Sequence, residues 1–255
     1  MPAIETAGLM GETFITLLFK VLVFTTLIPV VGYSQALVKP ISSKQVFDQF
    51  DKLYQVDARL VNGDFYQTPL MSEASGHPYF LDSDWKTGSV SLEGIVFDSL
   101  LLRYDISSNQ LIMNTVNITN SYLQLVLKKD RIQYFTLDKN LFQPFPVDDP
   151  VTGLRFCQIL AEGQIDFLLT KSKSLKVEPG GFTDFKYQSL RHRILRINAE
   201  LIPYKGRHTL FKQYPDLKPM LRDKLKKGHL LFRRMSQDNH IELIQYCNSL
   251  LAGKS

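Results

Sequence analysis

The chain has 255 residues and a net charge of +5, with 44% hydrophobic and 22% charged residues. This composition provides enough apolar side chains for a core and excludes a wholly disordered chain. The charge is uneven, because residues 206–255 hold ten Lys and Arg against four Asp and Glu, a balance of +6, while the rest of the chain sums to −1. A basic tail of this kind is typical of a solvated helical surface, with an anionic partner as the alternative.

The first predicted element is an export signal. Residues 21–31 form an apolar run of eleven residues, and Lys20 precedes it. Ser34 and Ala36 place small residues at the −3 and −1 positions of a cleavage site. This layout predicts a signal peptide over residues 1–36.

Cleavage after the signal would leave one mature domain, residues 37–255. An uncleaved membrane anchor is the alternative, because the stretch 14–31 has 18 residues, the lower limit for a membrane-spanning helix. We expect cleavage, and therefore a protein of the periplasm, the extracellular space or the outer-membrane surface that is not an integral membrane protein.

Export bears on the two cysteines, Cys157 and Cys247. An oxidising compartment permits a disulfide between them. Both also lie in apolar surroundings of the sequence, where a free cysteine packs as a small hydrophobe. The sequence leaves both states open.

The mature chain begins with a helix and continues as a sheet. Apolar residues at helical spacing predict a helix over residues 42–56. From residue 62 to 205, apolar runs alternate with turn residues every eight to twelve positions, which predicts an antiparallel β-meander. Because many strands are apolar on both faces, a curled sheet, a sandwich or a partial barrel fits the pattern. The predicted strands are two runs within 89–105, then 110–116, 122–127, 131–137, 141–145, 154–160, 164–170, 184–187 and 193–203.

The C-terminal part, residues 207–252, returns to helical spacing. One predicted helix begins at Asp216 and ends at Gly228. A second begins after Ser236 as N-cap and ends at Gly253. The fold class predicted for the chain is therefore α+β.

Several stretches together resemble an uncharacterised family of exported Bacteroidota proteins. They are NGDFYQ at 62–67, GHPYFLDSDWKTGSVSLEGIVFDSLLLRYDI at 76–106, RIQYFTL at 131–137, LKPMLRDKLKK at 217–227 and IELIQYCNSL at 241–250. The resemblance covers most of residues 43–251, although Cys247 stands where the family usually has a tyrosine. It implies export and a β-rich fold and assigns no catalysis.

One candidate site is acidic. Asp82 and Asp84 lie two residues apart and would share one face of an extended strand, with Trp85, the single tryptophan, beside them. Such a pair can hold a cation or divide acid and base roles. The alternative is a turn in which the aspartates cap backbone N–H groups and Trp85 packs on the sheet. Asp105, at the end of a strand, is expected to bond its own turn.

A second candidate site is basic. Arg191 and Arg193 flank His192 and would share one face of a strand. Guanidinium groups offer forked donors that grip a phosphate or a carboxylate. A solvated strand face is the alternative.

The motifs of the common enzyme classes are missing from the sequence. It has no G-x-S-x-G, HExxH or phosphate-binding loop, so neither a cofactor nor a bound metal is predicted. We therefore expect a non-enzymatic binding or interaction module of the cell envelope. Its partner would be an envelope protein or an anionic glycan or lipid surface, and not a nucleic acid. A hydrolase that uses scattered carboxylates, and a carrier of an apolar ligand in a sheet-enclosed cavity, are the alternatives.

Overall fold

The computed structural model describes residues 57, 59–60, 64–68, 74–116, 119–147, 153–177, 185–228 and 235–253. These residues belong to one compact unit, Lys44–Ser255. The predicted signal peptide and the predicted helix over residues 42–56 lie outside the described residues.

A single antiparallel sheet dominates the described residues. Its neighbouring strands follow the order β10-β9-β8-β7-β6-β5-β1-β2-β3-β4. The bounds are β1 Lys86–Leu92, β2 Ile95–Asp105, β3 Gln110–Val116, β4 Tyr122–Val126, β5 Ile132–Leu137, β6 Asn140–Phe145, β7 Arg155–Ala161, β8 Ile165–Val177, β9 Phe185–Ile197 and β10 Glu200–Pro203.

This order confirms the predicted meander with one rearrangement. Strands β1 to β4 run consecutively, and so do β5 to β10, but β5 returns to pair with β1 instead of β4. Tight turns at residues with positive φ join many strands, among them Gly94 (84°) and Asn109 (57°).

The sheet curls along its length. Strands β8 and β2 are separated by four others in the sheet order, yet the N–H of Lys173 on β8 lies 3.4 Å from the carbonyl oxygen of Ile106, just after β2. The segment 74–80 crosses between the same regions. Its Ser75 pairs with β9 at Lys186, and its Tyr79 pairs with Asp105 at the end of β2.

The concave face of the curl is filled by aromatic side chains. Phe135 and Phe142 are cross-strand partners whose ring centroids stack 4.7 Å apart. Tyr104 from β2 and Phe156 from β7 contact this pair edge-on, and Phe80 closes the cluster with its ring 5.0 Å from Phe142. Burial of five aromatic rings makes this cluster the main apolar support of strands β1 to β7.

The helices cover the same face of the sheet at its other end. They are α1 Arg207–Gln213, α2 Lys218–Lys227 and α3 Gln237–Ala252, so two predicted helices are confirmed and α1 is additional. Their side chains form one cluster with Phe167 and Leu195 of the sheet. The side chain of Asn248 on α3 accepts from the Ile165 N–H (2.8 Å) and donates to the Ile165 carbonyl (2.9 Å), which fixes α3 against β8. None of these described helices has both the length and the apolar character needed to span a membrane.

Candidate anion-binding site

The edge of the sheet beside β9 is only partly covered. Strand β9 pairs with β8 along all thirteen of its residues. Strand β10, in contrast, pairs only with residues Ile194 to Ile197 of β9. The chain reverses at Asn198 and Ala199, and β10 ends at Pro203. Among the described residues, the first half of β9 is therefore paired on this side only at Lys186, with Ser75.

Arg191 and Arg193 occupy this uncovered stretch. Arg191 and Arg193 alternate along β9 with Leu195, which packs against the helices. Both side chains therefore project from the face that carries the helices. His192 projects from the opposite face. The structure thus brings the two arginines of the predicted basic site side by side.

A cavity of about 700 Å³ surrounds this edge. Residues from both faces of β9 line it, so the cavity wraps around the open edge. Four of the described lining residues are Arg or Lys and none is Asp or Glu; the four cations are Arg155, Arg191, Arg193 and Lys205. Its volume lies within the usual range for a small-molecule site, and its charge suits an anion.

Among the described residues, the two arginines have no acidic partner, unlike several other surface cations. Neither Arg191 nor Arg193 forms an ion pair with a carboxylate in the described ranges. Other basic side chains of the protein are paired at short distance, namely Arg131 with Glu93 (2.8 Å), Lys86 with Asp82 (2.9 Å), Lys224 with Glu242 (2.7 Å) and Lys227 with Asp223 (2.8 Å). The edge of β9 therefore carries concentrated positive charge without a counter-charge from the described residues.

Lys171 adds a further cation to this edge. Lys171 on β8 is the direct cross-strand partner of Arg191. Its Nζ lies 4.3 Å from the ring centroid of Phe80. Burial, reinforced by the Arg191 cation, lowers the pKa of Lys171 to about 8. An anion bound at Arg191 would relieve the repulsion between these two side chains.

Arg193 is held in place by a hydrogen-bonded chain. Its Nη1 lies 3.3 Å from His240 Nε2, and the other ring nitrogen, Nδ1, lies 3.1 Å from the Tyr204 hydroxyl. A guanidinium only donates, so His240 Nε2 must accept, and the neutral ring carries its proton on Nδ1 and donates it to Tyr204. Burial and the Arg193 cation lower the pKa of His240 to about 4, which keeps this ring neutral at neutral pH.

The residues of the predicted acidic site form a hydrogen-bonded turn before β1. Asp82 accepts from the Asp84 N–H at 2.9 Å and from Lys86 Nζ at 2.9 Å, so it holds a turn. Both aspartate side chains are exposed to solvent. Trp85 stacks on the Arg103 guanidinium, which lies 4.0 Å from its ring centroid and 4.5 Å from that of Tyr79. Trp85 is thus engaged in packing at the start of β1.

Asp105 is fully buried and serves the turn that follows β2. One carboxylate oxygen accepts from the backbone N–H groups of Ser107 (2.8 Å) and Ser108 (3.1 Å), and the other accepts from the Tyr66 hydroxyl (2.9 Å). Burial and the Asp105 charge raise the pKa of Tyr66 well above its usual value. These bonds place Asp105 in a structural role.

The two cysteines are free and lie in different clusters. Cys157 packs with Phe145, Leu168 and Ile194 on the convex face, whereas Cys247 lies among the helices on the other face. Burial raises the pKa of each thiol to about 12. The possible disulfide is not formed in this structure, which shows both residues as small buried hydrophobes.

Sequence reasoning identified Arg191 and Arg193 but missed the residues around them. Lys171, Tyr204, Lys205 and His240 come from other elements, and only the fold brings them to this edge. Within the described ranges, no group of three or more His, Cys, Asp or Glu residues is arranged to hold a metal ion. Comparisons with protein-family models, with curated proteins and with solved structures find no match.

Proposed function

We propose that this protein is a non-enzymatic binding module of the cell envelope and that the cavity at the β9 edge takes an anionic ligand. One observation carries the proposal. Arg155, Arg191, Arg193 and Lys205 line a cavity of about 700 Å³ that has no acidic lining residue in the described part of the chain. Carboxylate and phosphate groups are the ligands that such forked, charge-assisted donors bind best.

The hydrogen bonds at the site favour binding over catalysis. The lone pair of His240 Nε2 accepts from Arg193, and the proton on Nδ1 goes to Tyr204. The ring is therefore engaged in orienting a guanidinium, and a general base needs that lone pair for the substrate. Preorganised donors of this kind lower the cost of ordering the site when a ligand binds.

The two alternatives from the sequence have less support. A carboxylate-dependent hydrolase requires converging, desolvated acids, but Asp82 and Asp84 are exposed while Asp105 is committed to its turn. A carrier of an apolar ligand requires an empty apolar interior, but five aromatic rings fill the described concave face.

The location in the envelope is the second part of the proposal, and it rests on the signal peptide predicted over residues 1–36. Intact-mass analysis of the protein from the envelope fraction of its host tests it. We expect a chain that starts at Leu37. A full-length chain in the membrane pellet would instead support the uncleaved anchor.

Titration calorimetry with pyrophosphate and with trigalacturonate tests the binding proposal, using the purified full-length protein at low, fixed ionic strength. We expect binding that weakens with added salt. Arg191→Gln and Arg193→Gln should each weaken it about tenfold to a hundredfold, since a hydrogen bond to a charged group contributes about 1.5–3 kcal/mol. Arg222→Gln removes the same charge from an exposed position on α2 and is the matched control.

The proposal fails if neither anion binds. It fails equally if the control lowers the affinity as much as the two site variants, because the effect would then reflect net charge alone.

A further inference from the structure

The uncovered stretch of β9 presents backbone groups as well as cations. At one end, the Phe185 carbonyl accepts from the Ser75 N–H and the Tyr187 N–H donates to the Ser75 carbonyl, so residues 185 and 187 face away from β8. At the other end, the Arg193 carbonyl accepts from the Tyr204 N–H on the same side. The β8–β9 register has no bulge between these ends. Strict alternation therefore turns the backbone groups of Ser189 and Arg191 outward too.

These outward groups have no backbone partner within the part of the chain that the structure describes. No backbone bond of Ser189 or Arg191 on this side is formed with any described residue. The gap runs from Tyr187, where segment 74–80 ends its contact, to Arg193, where β10 leaves the sheet. Six residue steps at about 3.3 Å each make it about 20 Å long, room for a strand of about five residues. A sheet edge of this kind is a template for an added strand.

We propose that the anionic ligand is an extended acidic peptide of a partner protein, which adds to this gap as a strand antiparallel to β9. The inference rests on the proposed function and names its ligand class. The peptide would continue the line of β10, and its backbone would pair with the outward groups of Ser189 and Arg191. Directly opposed residues of an antiparallel pair project from the same face. Carboxylates opposite Ser189 and Arg191 therefore project from the face that carries the two arginines, where the carboxylate opposite Arg191 also reaches Arg193 diagonally.

The opposite face of β9 determines which residue type suits the peptide position between the two acids. Leu190 is 48% exposed there, next to His192. An apolar β-branched residue between the two acids would cover Leu190 and has a high preference for a strand. The structure thus favours the pattern acid–apolar–acid. A polysaccharide would use the same cations, but it has no repeat of N–H and C=O groups to match those of the strand edge.

Fluorescence anisotropy with labelled, capped hexapeptides tests this inference on the full-length protein. The probe is Thr-Glu-Val-Glu-Val-Thr, and its isomer Thr-Glu-Glu-Val-Val-Thr has the same charge with adjacent acids. We expect the alternating peptide to bind at least tenfold more tightly. N-methylation of both glutamates should abolish this advantage, because their N–H groups face β9, whereas N-methylation of both valines should preserve it.

A variant of the edge gives a second readout. Ser189→Pro removes an outward N–H without touching the β8 ladder, and should weaken the alternating peptide at least tenfold while leaving pyrophosphate binding unchanged. Ser189→Thr retains the N–H and is the matched control.

The outcomes separate the two proposals. If pyrophosphate binds but the two peptide isomers bind equally, or if the position of N-methylation makes no difference, strand addition is refuted and the anion site remains. If trigalacturonate binds and neither peptide does, the ligand is a glycan and the inference is likewise overturned. If no anion binds, both proposals fail. Should Ser189→Pro also lose pyrophosphate, the N-methylated peptides decide, since they need no change in the protein.

Discussion

Burial of His240 makes the stability of the protein depend on pH. The side chain is 3% exposed and lies between Arg193 and Tyr204. Burial, followed by the Arg193 charge, lowers its pKa from 6.5 to about 4. Between these values the unfolded chain binds a proton that the native protein does not. The contribution to stability is therefore complete above pH 6.5 and is lost progressively as the pH falls towards 4.

The size of the effect follows from the two pKa values. Linkage gives a loss of about 2 kcal/mol from this group between pH 8 and pH 5, rising to about 3 kcal/mol below pH 4. Urea unfolding at pH 8, 7, 6 and 5 measures it. Between pH 8 and pH 5, the free energy of unfolding of His240→Gln should fall by about 2 kcal/mol less than that of the wild type. This difference does not depend on how stable the variant is at pH 8.

A matched control separates titration from destabilisation. Ile244→Val removes one methyl group from a fully buried position on the same helix, at a cost of about 0.5–1.5 kcal/mol, and introduces no titrating group. Its stability should therefore fall with pH in parallel with the wild type. If His240→Gln also runs parallel to the wild type, the desolvation argument for His240 is refuted.

Three further predictions concern packing. Gly88→Ala places a Cβ 2.1 Å from the Thr136 carbonyl oxygen, and should cost about 1–3 kcal/mol or more in urea unfolding; an unchanged midpoint would contradict this packing. Asn248→Ala leaves the buried Ile165 N–H without its partner and should cost about 1–3 kcal/mol, whereas Gln245→Ala, exposed on the same helix, should cost little. The Cys157 and Cys247 thiols, whose pKa values burial raises to about 12, should react with Ellman's reagent only on unfolding; fast reaction of the native protein would refute their burial.

The sequence predicted much of the sheet but not its two long strands. The prediction placed strands over residues 164–170, 184–187 and 193–203, whereas β8 is Ile165–Val177 and β9 is Phe185–Ile197. The missed stretches are rich in Lys, Ser, Gln and Arg, and this part of the hairpin extends beyond the apolar clusters and is only partly buried. Strand prediction from alternating apolar residues fails here, because these stretches contain few apolar residues.

The hairpin between β9 and β10 was missed for a different reason. Residues 193–203 were predicted as one strand, but the chain reverses at Asn198 and Ala199, with φ of 49° and 68°. Two positive φ values match the two-residue hairpin turn. Asparagine is common at such a turn, whereas alanine is unfavourable with positive φ, and so the sequence did not indicate it. This turn decides where β10 stops and therefore where the edge of β9 is open.

The same charges explain why an open edge is tolerated. Lysine and arginine on an edge strand oppose pairing with a second copy, since two such edges would bring like charges together. Repulsion between copies and attraction for an acidic strand follow from one arrangement, because Arg191 and Arg193 have no carboxylate partner among the described residues. An edge that only prevented pairing between two copies would need positive charge but no fixed orientation of the guanidinium groups. The hydrogen bond from Arg193 to the buried neutral His240 fixes the guanidinium of a residue that lines the cavity, and such fixed donors are what a binding site requires.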